Sequence, residues 1–153
     1  MLNLVADNSG SLMEGGRRFI ERTVLRQIRE SFLQREASGA IRLFLLSAEG
    51  LVETPWPKDE DVPDVVLHPQ GRVSMDAVTA SAWTEDDAIV FTGDCCMLPE
   101  ERKRLDAWIQ KMGVKRARVV VVGDVLPVDR TTHGWYSAEQ VDGVLDGLSL
   151  GTR

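Results

Sequence analysis

Leu2-Asn3-Leu4-Val5-Ala6-Asp7-Asn8-Ser9-Gly10-Ser11 decides how this chain folds. A short, mostly apolar run ends in a polar, glycine-containing loop, the pattern of a buried strand (Leu2 to Ala6) and its exit turn. A helix follows at once. From Gly16 to Glu36, Ile20, Val24, Leu25, Ile28 and Phe32 recur at helical spacing on one side, while Arg18, Arg22, Arg26 and Arg29 share another. Strand, oxygen-rich loop and amphipathic surface helix together open an α/β fold.

Working outward, Ala40 to Leu46 reads as a second strand. Glu49-Gly50 separates it from Leu51–Thr54, so a hairpin should place an antiparallel strand at a sheet edge. Pro55 to Gly71 holds four of the six prolines and an acidic cluster; it reads as a surface loop with a brief strand at Val65 to Leu67. A short helix should begin near Ser74, with Met75 and Val78 facing inward. Ala88 to Thr92 is another buried strand. Pro99, Glu100 and Glu101 suit a helix N-terminus; Leu98, Leu105, Trp108, Ile109 and Met112 form its stripe, and Gly113 ends it. Val119 to Val122 reads as a strand buried on both faces. Ser137-Ala138-Glu139-Gln140 is a capping box opening a last helix that buries Val141, Val144, Leu145 and Leu148. This alternation predicts a doubly wound, mostly parallel sheet with one antiparallel edge strand and helices on both faces. At 153 residues, 43% hydrophobic and 27% charged, one domain over residues 1–153 is expected.

Charge and cysteine content narrow the function. A formal net charge of -6 disfavours nucleic acid and anionic lipid as partners. The first residues lack a signal peptide's basic flank, and no apolar run approaches the ~20 residues a bilayer span needs; the expectation is a cytoplasmic protein. Cys95 and Cys96 are adjacent, which closes no loop, and are read as thiols. Without Cys-x-x-Cys spacing, a zinc site with His68 and His133 is disfavoured. Gly10, Gly15 and Gly16 make no phosphate-binding Walker loop, because no Gly-Lys-Ser/Thr follows. Seven Arg between Arg17 and Arg42 face six acids between Glu49 and Asp64, a pattern of intramolecular ion pairs or of a docking face.

In open α/β sheets ligands bind beyond the carboxyl ends of the strands, and there this sequence is rich in oxygen. Asp7, Ser9 and Ser11 follow the first strand, and the strand Ala88–Thr92 delivers Thr92 and Asp94. Such hard donors suit Mg²⁺. Asp7-Asn8-Ser9-Gly10-Ser11-Leu12, between a hydrophobic strand and a long helix, resembles the Asp-x-Ser-x-Ser signature of von Willebrand factor A (VWA) domains, which form a metal-ion-dependent adhesion site. The later hairpin extends the likeness over most of the chain.

The resemblance implies Ser9 and Ser11 as direct ligands of Mg²⁺ (or Mn²⁺ or Ca²⁺), Asp7 as an orienting carboxylate acting through water, and Asp94 as the later Asp. Where the family shows Gly-Thr before its second helix, this chain reads Gly71-Arg72-Val73-Ser74, which assigns the remaining hydroxyl to Ser74, with Thr79 as the alternative. The family's Thr-Asp-Gly reads Thr92-Gly93-Asp94, one residue later for the carboxylate. The resemblance further implies a non-enzymatic adaptor of small bacterial type, capturing a partner's Asp or Glu at the metal, an AAA+ ATPase among the candidate partners. Arg18 and Arg22 would steer an acidic partner, and Trp135-Tyr136 beside Gly134 is the aromatic pair to expect at an interface.

A rival from another class is a phosphohydrolase resembling the haloacid dehalogenases, with Asp7 as nucleophile and Thr92, Lys115, Gly123-Asp124 and Asp129 as supporting residues. Its acid–base Asp would stand at position 9, where this chain has Ser9. A hydroxyl near its ordinary pKa exchanges protons poorly at pH 7. No turnover is therefore expected.

Overall fold

The structure, a computed structural model, describes residues 1–35, 39–94, 99–123 and 133–150. Six strands form one sheet: β1 Leu2–Asp7, β2 Ile41–Ser47, β3 Gly50–Thr54, β4 Ala88–Gly93, β5 Ala117–Val121 and β6 Trp135–Ser137. Their order is β3-β2-β1-β4-β5-β6, all parallel except the β2–β3 hairpin. The strand order reverses direction between β1 and β4, so their carboxyl ends diverge into the crevice where such sheets bind ligands.

Alternation along the strands builds two cores. Leu2, Leu4 and Ala6 of β1 face α1 (Arg17–Gln34) and the C-terminal segment, with Val24, Leu25, Ile28, Phe32, Val144 and Leu145 packed against them. Val5, Ile89, Phe91 and Val119 face α2 (Asp76–Thr79) and α3 (Pro99–Met112), which bring Val78, Leu105, Trp108 and Ile109. The expected doubly wound sheet, antiparallel edge strand included, is the one observed. Among the described residues no helix is long and apolar enough to cross a membrane.

Four local expectations need correction. Val65–Leu67 is not a strand but part of a 3-10 turn, Asp64–Leu67, entered from Pro63, whose carbonyl accepts the Val66 N–H at 3.1 Å. The last helix is a 3-10 helix, Ala138–Gly143, although the capping box forms, with Gln140 accepting the Ser137 N–H at 3.0 Å. Gly143 and Gly147 lie a helical turn apart and favour no α-helix there; instead Arg118 fastens the segment to β5 by donating to the Val144 carbonyl at 2.7 Å. Ile20, placed on the inner side of the first helix, is 39% exposed. Trp135 and Tyr136 are not an exposed pair: they form the edge strand β6 and are buried at 4% and 8% exposure. Three residues were too few to signal a strand. Leu98, Cys95, Cys96, Asp124, Asp129 and the expected helix end at Glu36 lie outside the described residues.

Candidate functional site

β1 delivers Asp7 at its last position, and the loop beyond curls back on it. Asp7 Oδ1 accepts the Ser9 N–H at 2.9 Å, and the hydroxyls of Ser9 and Ser11 lie 3.2 Å apart. Leu12, fully buried, anchors the 3-10 turn that follows, Gly10–Gly16. At its end Gly15 and Gly16 take φ of 60° and 73°, left-handed values that bulkier residues resist; this double turn starts α1 with Arg17.

Two neighbouring loops complete the crevice. Gly10 N–H donates to the Gly71 carbonyl at 2.9 Å, and Gln70 N–H to the Asn8 carbonyl at 3.0 Å, so the segment before α2 is laced to the motif loop. From the other side comes the exit of β4. A Cβ on Gly93 would stand 3.0 Å from the Cβ of Asp7 and from the Phe91 ring. Glycine at 93 thus lets the β1 and β4 exits approach, and the carboxylate comes from Asp94, 7% exposed. The reordered Thr92-Gly93-Asp94 has this physical reason.

Arg17 ties the loops together. Its guanidinium Nη1 donates to the Ser11 carbonyl at 3.4 Å and lies 3.6 Å from Asp94 Oδ2 and 3.8 Å from Glu14. Beneath them, Glu21 projects from α1 into the core with no exposed surface. Its Oε2 accepts the Thr92 hydroxyl at 3.2 Å, while Oε1, like Asn8 Oδ1, is buried with no hydrogen-bond partner among the described residues. Burial raises the Glu21 pKa well above the ordinary carboxylate value, reinforced by repulsion from Asp7 and Asp94. Burial also pushes Asp7 up to about 6, against the opposing Ser9 hydrogen bonds and with a further push from Asp94. Three acids therefore share one poorly solvated edge.

Asp7, Ser9, Ser11 and Asp94 are thus brought together. Ser74 is exposed, accepting the Asp76 N–H at 3.3 Å at the start of α2, and Thr79 donates to the Met75 carbonyl at 3.3 Å. Neither hydroxyl is hydrogen-bonded to the motif loop. Lys115 precedes β5, at the amino edge of the sheet, whereas Asp7 ends β1 at the carboxyl edge. Of the residues a phosphohydrolase would need, Lys115 therefore lies at the opposite edge from Asp7 and Thr92 is fully buried, while Asp124 and Asp129 lie outside the described residues.

Arg18 and Arg22 are half-buried. Arg18 donates to the Leu67 carbonyl at 3.0 Å, and both guanidiniums stand over the Phe19 ring, at 4.8 and 5.5 Å. Further along α1, Arg26 pairs with Asp61 through two hydrogen bonds, and Arg29 donates to the Glu60 carbonyl at 2.6 Å and lies over Trp56 at 4.0 Å. Much of the uneven charge is therefore spent within the molecule. Sequence reading missed Arg17 and Glu21. A signal for Glu21 existed: positions 21, 24, 25, 28 and 32 complete the apolar stripe, and a carboxylate inside such a stripe marks a buried charge. Arg17 had none, because it sits among seven arginines.

No family model matches the sequence, and no curated protein matches it. Among solved structures, the SpRpn10 VWA domain is similar over 99% of this chain and 98% of its own, with a TM-score of 0.60 at 10% sequence identity. The chain has the VWA fold. At that identity the likeness is one of architecture, and the chemistry rests on this chain's residues. The crevice lies where the VWA strand order reverses, between the exits of β1 and β4.

These residues fit a divalent cation. Among the described residues no three His, Cys, Asp or Glu side chains form a metal-binding group, so the donors for an ion would be the Ser9 and Ser11 hydroxyls with Asp7 and Asp94 close by. Hydroxyl and carboxylate oxygens are hard donors of the type Mg²⁺ takes together with water. A cation would favour the charged forms of Asp7 and Asp94, which burial and their mutual repulsion disfavour at Asp7.

Proposed function

We propose that this VWA-fold chain is a non-enzymatic protein-interaction adaptor that takes a partner's Asp or Glu side chain at a Mg²⁺-dependent site on the carboxyl edge of its sheet. The observation that carries this reading is the pairing of the Ser9 and Ser11 hydroxyls at 3.2 Å in a loop whose Ser9 N–H donates to the Asp7 carboxylate. Ser9 and Ser11 would hold the ion, Asp7 would orient Ser9, and Asp94 would complete the set from β4. When bound, the ion supplies a positively charged open position for a carboxylate oxygen.

The protein's own part is positioning. The Asp7–Ser9 hydrogen bond fixes the loop, Gly93 brings the β4 exit close, and buried Leu12 keeps the turn from opening. On α1 and the turn before it, Met13, Phe19 and Ile20 are exposed apolar side chains, at 50%, 44% and 39%, and offer the contact surface first expected of Trp135 and Tyr136. An acidic partner suits the site, and an AAA+ ATPase is the candidate that the family resemblance carries over.

The test uses the purified chain. Millimolar Mg²⁺ should raise the melting temperature, since a ligand selective for the folded state stabilises it, and Ser9→Ala or Asp94→Ala should remove the shift. Acetate, a bare carboxylate, should add stability only with Mg²⁺ present. Pull-downs from the native host should lose partners in EDTA. An unchanged melting temperature with Mg²⁺ or Mn²⁺, or equal recovery of partners with and without EDTA, would overturn the reading.

A further inference from the structure

We propose that Arg17 is the built-in counter-cation of the crevice, which pairs with Asp94 and competes with a divalent ion for it. The inference rests on the metal-dependent reading above and adds a regulatory residue to it. One nitrogen, Nη1, reaches the Ser11 carbonyl at 3.4 Å and Asp94 Oδ2 at 3.6 Å, bridging the two loops that would share an ion. The same nitrogen lies 3.8 Å from Glu14. The two carboxylates differ sharply in environment: the Asp94 side chain is 2% exposed and that of Glu14 77%. Arg17 therefore has a buried and an exposed anion within reach of one atom, and a small rotation carries it from one to the other.

The surroundings bear on that exchange. Gly123 flanks the guanidinium; a Cβ there would stand 3.4 Å from Arg17 Nε and 3.6 Å from the Asp94 Cβ, so a larger side chain would crowd the contact. A single guanidinium cannot balance the Asp7 and Asp94 carboxylates together, and the remaining negative potential favours a second cation. Arg17 at its inward position would repel that cation at short range in a poorly solvated site, where charges interact strongly. Turned outward to Glu14, it is relieved of that repulsion and presents its donors at the rim, where a bidentate fork suits an incoming carboxylate.

Two consequences separate this device from a merely structural salt bridge. Arg17 should weaken metal binding, so its removal should strengthen it. Arg17 should also change its surroundings when the ion binds.

Mg²⁺ binding to the full chain is measured by calorimetry, with Mn²⁺ paramagnetic resonance as a check, for the parent, Arg17→Gln and Ser9→Ala. Arg17→Gln should bind Mg²⁺ about tenfold tighter or more, while its metal-free form melts lower than the parent. The Nε–Hε resonance of Arg17 in the unmodified chain should move as Mg²⁺ is added, a readout that does not depend on the variant folding. Equal or weaker Mg²⁺ binding by Arg17→Gln, or an Arg17 resonance unmoved at Mg²⁺ saturation, would overturn the competition, while loss of binding in Ser9→Ala would leave the metal site standing. No binding by either the parent or Arg17→Gln would remove both.

Discussion

Asp7 is held where a carboxylate is poorly solvated, and its protonation should show in the stability of the metal-free chain. Burial lifts its pKa from 3.8 to about 6. Between those values the folded chain binds more protons than the unfolded one, so stability is fully present below the unfolded pKa and is lost as pH rises through about 6. Glu21, raised well above the ordinary value, acts in the same direction. Asp7→Asn should therefore stabilise the metal-free protein at pH 8 by about 1–3 kcal/mol, while abolishing the response to Mg²⁺. Urea midpoints measured from pH 4 to 8 test this; an Asp7→Asn slope equal to the parent's between pH 4 and 6.5 would refute it. Gly93→Ala belongs to the same scale. Its added methyl meets Asp7 and Phe91 at 3.0 Å, so it should weaken Mg²⁺ binding and lower the melting temperature together, whereas Ser9→Ala should affect mainly the first. Asp7, Ser9, Ser11 and Asp94 were legible in the sequence because oxygen donors follow apolar runs. The charge balance around them was not, because it depends on which helix position points inward.

The element that most shapes the rest of the surface is α1. Its outer arginines close onto the proline-rich loop that follows β3: Arg26 on Asp61, Arg29 on the Glu60 carbonyl and the Trp56 ring. Trp56 in turn donates its Nε1–H to the Glu60 carbonyl at 3.1 Å and packs against the core. Trp56→Ala should cost about 1–3 kcal/mol through lost packing and cation–π contact. Arg26→Gln breaks an exposed pair and should cost less. Chemical denaturation ranks the two, and the reverse order would mean that the loop is held by charge rather than by stacking. Elements with long periodic signals, α1 and α3, were legible to within a few residues of their ends. The weak signals failed for a common reason: at Asp64–Leu67, β6 and Ala138–Gly143 three to six residues are too few for periodicity, and tertiary contacts decide. Seven arginines close together read as intramolecular ion pairs or as a docking face, and the partners of Arg26 and Arg29, at Asp61 and Glu60, lie some thirty residues further along the chain.

For the molecule as a whole, the topology places chemistry at one edge and stability elsewhere. The strand order reverses between β1 and β4, so the two exits that carry Asp7 and Asp94 part beside each other. That placement followed from the order of strand and helix signals, because right-handed crossovers leave few arrangements open. Among the described residues the sheet ends in two borders, β3 and β6, and these bear on self-association. An outermost strand offers backbone groups on which another copy can extend the sheet. β6 spans three residues, too short a template, and β3 spans five, with Pro55 and Pro57 immediately beyond it. Along β3, Val52 is exposed at 43% beside Glu53, whose carboxylate takes two hydrogen bonds from Arg42 of β2, at 2.8 and 2.7 Å. That fixed charge pair is the gatekeeper of this border. Glu53→Val would join Leu51 and Val52 into a continuous apolar run and leave Arg42 without its partner. Its expected signature is turbidity on heating at concentrations where the parent stays clear, the outcome if the pair keeps copies of the chain apart.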